Sequence, residues 1–294
     1  MPNLSANQVT QLSRGKLTGE KAKQWADALN TAMSILGHIM KKTAFTILLL
    51  LVAMEANAGW YRVTNYVGQI GPYPVHLSIQ TNDSFGSGLN IEGSYYYDKH
   101  RSPIPIYGKL VGNSASLREI HSADEFDKIL VRGSKSGFDT TGCPLRLVFS
   151  NDEATGQWTD HRGSFDVKLK RVGSLDDTKS GRIDGLVEIP FWGQTKNYMF
   201  IGVYKASGAA GAGISINAVR VVNKKTGAII QDFDPQQHHC TFGFFMTTIY
   251  MNIESVNSGK DEQIGLNCYG MRVSPVSYYS LNKKTGVFEF SFQR

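Results

Sequence analysis

The sequence predicts an all-β, mainly antiparallel protein with two β-rich units of meander, sandwich or barrel type. Apolar and polar residues alternate with a period of two in several short segments, such as 145–149 and 165–169. Thirty glycines in 294 residues, with frequent Asn and Asp, supply closely spaced turns. After residue 60 the helical signal is confined to 122–129, which begins with a capping box from Ser122 to Glu125.

Composition and charge exclude several classes of protein. A hydrophobic content of 41% is enough to build a core, and the glycines have no three-residue period, so disorder and collagen are both excluded. The net charge of the chain is +6, but residues 59–294 carry 25 basic and 22 acidic side chains. This balance predicts no nucleic-acid partner, since such binding needs a concentrated basic face.

Residues 40–58 have the pattern of a secretion signal peptide. Lys41 and Lys42 precede the apolar segment 43–54, and Ala56-Asn57-Ala58 forms a small-x-small cleavage site. The apolar segment falls short of the roughly 20 residues that span a bilayer. The pattern predicts a periplasmic protein that begins at Gly59 and has no stable membrane insertion after cleavage. The alternatives are an uncleaved anchor and a buried helix.

Residues 1–39 form an extension ahead of this signal. Within 18–37, apolar residues recur at helical spacing and predict an amphipathic helix. They are Ala22, Trp25, Leu29, Met33 and Leu36. Two explanations remain open: translation begins at Met40 and the extension is not translated, or both starts are used. In the second case the product from Met1 would remain cytoplasmic.

The exported part divides by composition into a first β-rich domain (59–172), a linker (173–182) and a second β-rich domain (183–294). The linker is predicted because that segment is polar and contains glycine. Within the second domain, Phe242–Ile253 is apolar at both alternating sets of positions. It is therefore predicted as a central strand that is buried on both faces.

A five-residue motif occurs twice in the second domain. Asn223-Lys224-Lys225-Thr226-Gly227 recurs as Asn282-Lys283-Lys284-Thr285-Gly286, each time between strand-like segments. Glycine supplies the positive φ that closes such a turn, and the lysines keep its tip in water. The repeat predicts two structurally similar hairpins.

The three cysteines all lie in the exported part. An oxidising compartment favours a disulfide, and an odd number leaves one thiol unpaired. Cys240 and Cys268 flank apolar strand-like segments and are predicted to form the bridge. Cys143 is predicted to be a buried free thiol.

Residues 93–101 are the strongest candidate for a binding edge. On a strand, Tyr95 and Tyr97 share one face and Tyr96 takes the other, and a charged tip follows. Tyrosine provides contact area at low entropic cost. The candidate contacts to a protein partner are Tyr96, Asp98, His100 and Arg101. The alternative is an ordinary half-buried hairpin.

Ligand-type residues also cluster before Cys240, at Asp232, Asp234, His238 and His239. Adjacent histidines on an extended chain point in opposite directions, and no HExxH motif or second cluster supports a metal site. The sequence therefore predicts no metal, no cofactor and no catalytic residues. These four residues would be the site of the alternative function, an envelope hydrolase. A further alternative is a carbohydrate-binding module that uses Trp60, Tyr95 and Trp158.

Three segments resemble small exported β-rich proteins of Gram-negative bacteria. They are Val67-Gly68-Gln69-Ile70-Gly71-x-Tyr73-Pro74-Val75-x-Leu77, then Gly93-Ser94-Tyr95-Tyr96-Tyr97, then Ile104-Pro105-Ile106-Tyr107-Gly108. Several such proteins are similar to periplasmic immunity partners of interbacterial toxins, including toxins delivered by type VI secretion. The resemblance implies a non-enzymatic inhibitor that blocks the active site of a toxin or another envelope-acting enzyme, encoded nearby. It assigns no site residues.

Overall fold

The computed structural model divides the chain into two compact units, Met1–Ala56 and Asn57–Arg294. It describes residues 23, 24, 26–31, 34, 61–82, 90–122, 124–126, 128, 139–176, 182–206, 214–238, 240, 249–257, 262–268 and 275–294. In the first unit the described residues are helical and exposed, where the sequence predicts an amphipathic helix. The predicted signal peptide 40–58 and Trp60 lie outside the described residues. No helix in the described part of the chain combines the length and apolar character needed to cross a bilayer.

The second unit begins with an eight-stranded antiparallel meander that closes on itself. Its strands are β1 (Tyr61–Ile70), β2 (Tyr73–Asn82), β3 (Ile91–Tyr97), β4 (Ile104–Val111), β5 (Ser114–Glu119), β6 (Leu145–Phe149), β7 (Glu153–Asp160) and β8 (Gly163–Asp176). Each strand pairs with the next, and β1 also pairs with β8. The closing pair turns the sheet into a barrel and leaves neither strand as an open edge.

The segment predicted as a linker is strand wherever the structure describes it. β8 continues to Asp176, and β9 (Arg182–Gly185) pairs with residues 173–176 of β8. The 14-residue β8 outruns β7, which ends its pairing at Lys170, and β9 takes the position that β7 vacates. The polar composition predicts a linker here, but Gly173 and Leu175 are buried, and only part of this strand faces solvent.

Two further antiparallel sheets follow. Sheet B contains β10 (Val187–Pro190), β11 (Tyr198–Ala206), β12 (Ile214–Asn223) and β13 (Ile229–Phe233), and sheet C contains β14 (Ile253–Asn257), β15 (Glu262–Asn267), β16 (Val276–Leu281) and β17 (Phe288–Gln293). The prediction of one strand over Phe242–Ile253 is wrong at its end, because Ile249–Met251 is a 3-10 helix and β14 starts at Ile253. Tyr250 in that helix is fully buried, so its apolar character reflects burial outside a strand. Residues 242–248 of the predicted strand lie outside the described residues.

Two apolar cores organise the unit. Alternate residues of the barrel strands, such as Leu77, Tyr95 and Leu117, fill the barrel interior. A second core contains Phe191, Phe200 and other residues of sheets B and C. Tyr61, Val63 and Leu175 of the barrel wall belong to this second core. The prediction of an all-β, mainly antiparallel fold is confirmed. Residues of the barrel wall and of sheets B and C contribute to one core.

The predicted disulfide between Cys240 and Cys268 is confirmed, with the two Cα atoms 4.9 Å apart. It ties the chain after β13 to the end of β15, and so links sheet B to sheet C. In the chain-entropy model, a bridge closing a loop of this length stabilises by roughly 3 kcal/mol. Cys143 is free and buried, as predicted.

The two repeated motifs form the predicted turns. In each, the glycine has positive φ, at +75° and +76°, and donates its N–H to the carbonyl of the first Asn at 2.8 Å. The first turn, Asn223–Gly227, differs in its surroundings. The Lys224 Nζ donates to the carbonyl of Thr195 at 2.7 Å and to Gln194 Oε1, and burial lowers the pKa of this lysine. The Arg101 guanidinium lies against Gly227 and donates to the Lys224 carbonyl at 3.2 Å.

The paired turns provide a matched test of this contact. A Cβ at Gly227 would lie 2.5 Å from Arg101 Nη2, whereas a Cβ at Gly286 would meet nothing within 4 Å. We expect Gly286→Ala to lower the free energy of unfolding by about 1 kcal/mol through positive φ alone. Gly227→Ala should cost about 1 kcal/mol more, because Arg101 must also move. Urea denaturation measures both, and equal losses would contradict the packing of Arg101 on this turn.

The outer faces of β2 and β3 carry a buried polar layer under sheets B and C. The Ser78 hydroxyl lies 3.0 Å from the Tyr250 hydroxyl, and the Ser94 hydroxyl donates to the Pro190 carbonyl at 2.9 Å. Glu92 is 2% exposed in the same layer, beside Tyr107 and Tyr250. Burial raises the pKa of Glu92 from 4.5 to about 8, so this carboxyl is protonated in the folded protein at neutral pH.

The raised pKa of Glu92 predicts that the protein loses stability as the pH rises from acidic values to about 8. The Glu92 carboxyl ionises near pH 4.5 in the unfolded chain and near pH 8 in the folded protein. The free energy of unfolding should therefore fall by up to about 1.4 kcal/mol per pH unit between these values, and the full loss is present above pH 8. Glu92→Gln should flatten this dependence in denaturant melts from pH 5 to 9. The control Asp166→Asn, at an exposed carboxylate of the barrel wall, should retain it.

Candidate functional site

The hairpin tip after β3, residues 97–101, separates two concave surfaces. Because side chains alternate along the strand, Tyr95 and Tyr97 face the barrel interior and Tyr96 faces outward, as predicted. The strand alternation ends at the turn formed by residues 98–100. Tyr97, Lys99 and His100 line a cleft at the end of the barrel. Tyr96, Asp98 and Arg101 line a cavity at the seam between the barrel and sheet B.

The seam cavity has a volume of about 270 Å³, and its polar lining residues contact one another. His76 Nε2 lies 3.0 Å from Asp98 Oδ1, and the imidazole stacks on the Tyr96 ring at 4.8 Å and 5°. The Arg220 guanidinium contacts Glu188 and forms a bidentate salt bridge with Asp232, in which both hydrogen bonds are 3.0 Å long. The His76–Asp98 contact and the ion pairs of Arg220 hold the walls of the cavity together.

The predicted contact Tyr96 is corrected by this arrangement. Its ring is 7% exposed and packs with Met199, Ile201 and Val222 in a small core between barrel and sheet B. Burial raises the pKa of its hydroxyl well above the ordinary value. Arg101 is likewise occupied by the first repeated turn. Both residues fasten sheet B to the barrel and present little surface to a partner.

The barrel-end cleft is larger, at about 490 Å³, and its floor is aromatic. Tyr73 is the first residue of β2, Tyr97 is the last residue of β3, and Trp158 and Phe165 lie on β7 and β8. Tyr73 is 51% exposed, while the other three rings are half-buried at the end of the barrel core. Three hairpins that are distant in sequence therefore bring four rings to one opening.

The four rings meet at steep angles. Tyr73 contacts Tyr97 edge to face, with centroids 6.0 Å apart at 88°, and Phe165 at 6.4 Å and 70°. Trp158 is tilted by 40° to Phe165. Such contacts stabilise the arrangement beyond the burial of the rings themselves. The rings form a concave wall and present no flat platform.

Glu119, at the end of β5, accepts hydrogen bonds from two aromatic side chains at this end of the barrel. Its Oε1 atom accepts hydrogen bonds from Trp158 Nε1 at 2.8 Å and from the Tyr95 hydroxyl at 2.5 Å. Burial, followed by the charge of Glu119, raises the pKa of Tyr95 well above its ordinary value, so this hydroxyl remains a donor. One carboxylate oxygen thereby sets the orientation of the Trp158 ring.

The rim of the cleft carries Lys99, His100, Asp160 and Arg162. Asp160 belongs to the β7–β8 turn, where its Oδ1 accepts N–H groups of Arg162 at 2.7 Å and Gly163 at 3.2 Å. Desolvation opposes ionisation, but these hydrogen bonds and the Arg162 charge outweigh it and lower the pKa of Asp160. Lys99 and His100 are exposed.

Of the four predicted contacts, only His100 lines the barrel-end cleft. The prediction of protein contacts does not include Tyr73 or Phe165, and it names Trp158 only for the carbohydrate alternative. Each follows or precedes a turn signal (Gly71-Pro72, or the turn 160–163), so an aromatic beside a turn was a usable sign. The order of the strands in the sheet determines which turns share one end of the barrel. This order cannot be read from the sequence.

The described residues of the hydrolase alternative are each held by a different neighbour. Asp232 is held by Arg220, Asp234 accepts the N–H of Gln236 at 2.9 Å, and His238 stacks on Phe290 at 4.1 Å. His239 lies outside the described residues. Within the described ranges, no group of three or more His, Cys, Asp or Glu side chains is placed to hold a metal ion. For the carbohydrate alternative, Tyr95 is 1% exposed and is unavailable as a platform.

Comparisons of the chain with protein-family models, with curated proteins and with solved structures find no match. The resemblance to periplasmic immunity proteins therefore stays a prediction.

The hydrogen bonds at Glu119 give a prediction for the cleft. Glu119→Leu leaves the Trp158 and Tyr95 donors without their acceptor and should lower the free energy of unfolding by about 2–4 kcal/mol. Glu119→Gln keeps an oxygen acceptor and should lose less than half of that. Urea denaturation followed by tryptophan fluorescence measures both variants. Equal losses would show that the two hydrogen bonds do not set the stability of this end of the barrel.

Proposed function

We propose that this protein is a non-enzymatic, exported binding protein of the immunity or inhibitor type, which receives a protruding segment of a protein partner in its barrel-end cleft. The observation that carries the proposal is the convergence of four aromatic rings and a charged rim on one opening of a closed barrel. Concave aromatic surfaces with a few polar groups are the usual form of a binding site. Occupying the active site of an envelope enzyme would neutralise it.

Rigidity favours an inhibitor that works by occlusion. The rim consists of tight hairpins: Gly71 closes the β1–β2 turn at positive φ, and the β7–β8 turn is fixed by the Asp160 hydrogen bonds. Barrel closure by β1 and β8 holds these turns relative to one another. A preformed surface loses little conformational entropy on binding, so more of the contact energy remains as affinity.

The cleft favours a protein segment over a sugar. Carbohydrate modules stack sugar rings on exposed, coplanar aromatic faces, whereas Tyr73, Tyr97 and Phe165 meet at steep angles around a hollow. A hollow of this volume accepts one or two apolar side chains of a partner loop. Tyrosine and tryptophan are also the residues that dominate the binding energy of protein interfaces.

Two features support action outside the cytoplasm. The Cys240–Cys268 bridge is of a kind that persists in oxidising compartments. Residues 40–58 carry the basic, apolar and small-residue pattern of an export signal. An inhibitor of an envelope-acting toxin must be exported to meet it.

The test is a protection assay in a Gram-negative host that produces, in its periplasm, the protein encoded by the adjacent gene. The chain expressed from Met40 should protect the cells, and the chain without residues 40–58 should not. Tyr73→Ala should weaken binding to the purified adjacent product by about tenfold, as loss of a central aromatic contact does. Isothermal titration measures that affinity.

Phe292→Ala is the matched control, because Phe292 is an aromatic of similar exposure, 45%, on β17 of sheet C. It should leave both protection and affinity unchanged. Protection without the signal segment, or equal effects of Tyr73→Ala and Phe292→Ala, would contradict the proposed function. So would failure of the Met40 chain to protect.

A further inference from the structure

The charges on the rim of the barrel-end cleft are unequal. Lys99 and Arg162 are permanent cations, and Arg162 is the more exposed of the pair it forms with Asp160, at 78% against 19% for the side chains. His100 adds a third basic group to the lining. Asp160 is the one carboxylate in that lining.

Asp160 has little capacity left for a ligand. Its Oδ1 accepts the two turn N–H groups, and its Oδ2 lies 3.3 Å from Arg162 Nε. Asp98, on the same hairpin tip as Lys99, faces the seam and is paired with His76. The carboxylates near the opening are therefore committed internally, while the Lys99 ammonium and most donors of Arg162 face solvent. The rim presents net positive charge above an apolar floor.

We infer that the segment accepted by the barrel-end cleft is acidic, with an apolar or aromatic side chain that enters the ring of Tyr73, Tyr97, Trp158 and Phe165 and carboxylates that meet Lys99 and Arg162. This inference rests on the proposed function and adds the chemistry of its partner. Opposite charges across a rim accelerate association and select partners, and the effect weakens with salt.

The experiment titrates the exported product of the Met40 chain with two labelled peptides, one alternating Glu and Trp and one alternating Lys and Trp, read by fluorescence anisotropy. The acidic peptide should bind about tenfold more tightly at low salt, and most of that preference should disappear at high salt. The double variant Lys99→Glu, Arg162→Glu should lose or reverse the preference. The double variant Lys168→Glu, Lys170→Glu, at exposed positions of the barrel wall outside the cleft, should keep it.

Equal binding of the two peptides, or equal effects of the two double variants, would overturn the inference. Saturable binding of chitohexaose or of phosphatidylglycerol vesicles that displaces the acidic peptide would overturn it as well, in favour of a sugar or a lipid. If the Lys99→Glu, Arg162→Glu double variant still protects cells fully, the inference of an acidic partner segment is wrong, and the proposed function is unaffected. If the unaltered chain fails to protect and yet prefers the acidic peptide, the proposed function alone is wrong.

Discussion

The burial of β2 and β3 on both faces is the constraint from which the rest of the second unit follows. On their inner faces, Leu77 and Tyr95 belong to the barrel core; on their outer faces, Ser78 and Ser94 bond to groups of the second part of the chain. Two strands of one sheet thereby join two cores. Loss of either core would leave apolar or polar side chains of these strands without partners.

Double burial also explains the polar layer under sheets B and C. An ordinary barrel wall can carry polar residues outward into water, but here the outer positions of β2 and β3 are covered. Hydroxyl groups are accommodated because Tyr250 and the Pro190 carbonyl lie within hydrogen-bond distance. Glu92 is accommodated only in its neutral form, and Gln80 Oε1 is buried without a hydrogen-bond partner among the described residues. The buried polar groups of this layer position sheets B and C on β2 and β3, but a buried group without a hydrogen-bond partner lowers the stability of the protein.

Local features were predictable from the sequence because their causes are local. The alternation of Leu145-Arg146-Leu147, the positive-φ glycines of the two repeated turns and the cysteine pairing all followed from residues close in sequence or from composition. The shared core could not be predicted, because alternation with a period of two shows which face of a strand is buried but not which residues cover that face. The sequence predicts Tyr96 as a binding contact for that reason, because it does not show that sheet B covers this outer face of the barrel strand.

The same reasoning explains why the cleft had to be found in three dimensions. In an antiparallel meander, every second turn lies at the same end of the barrel, so the β1–β2, β3–β4 and β7–β8 connections share one rim. Aromatic residues beside those turns, at Tyr73, Tyr97 and Phe165, fall together once the barrel closes. Closure depends on the pairing of β1 with β8, whose strands are separated by nearly the whole barrel sequence. Because this pairing closes the barrel, the turns of the rim are held relative to one another, and a surface preformed in this way would lose little conformational entropy on binding.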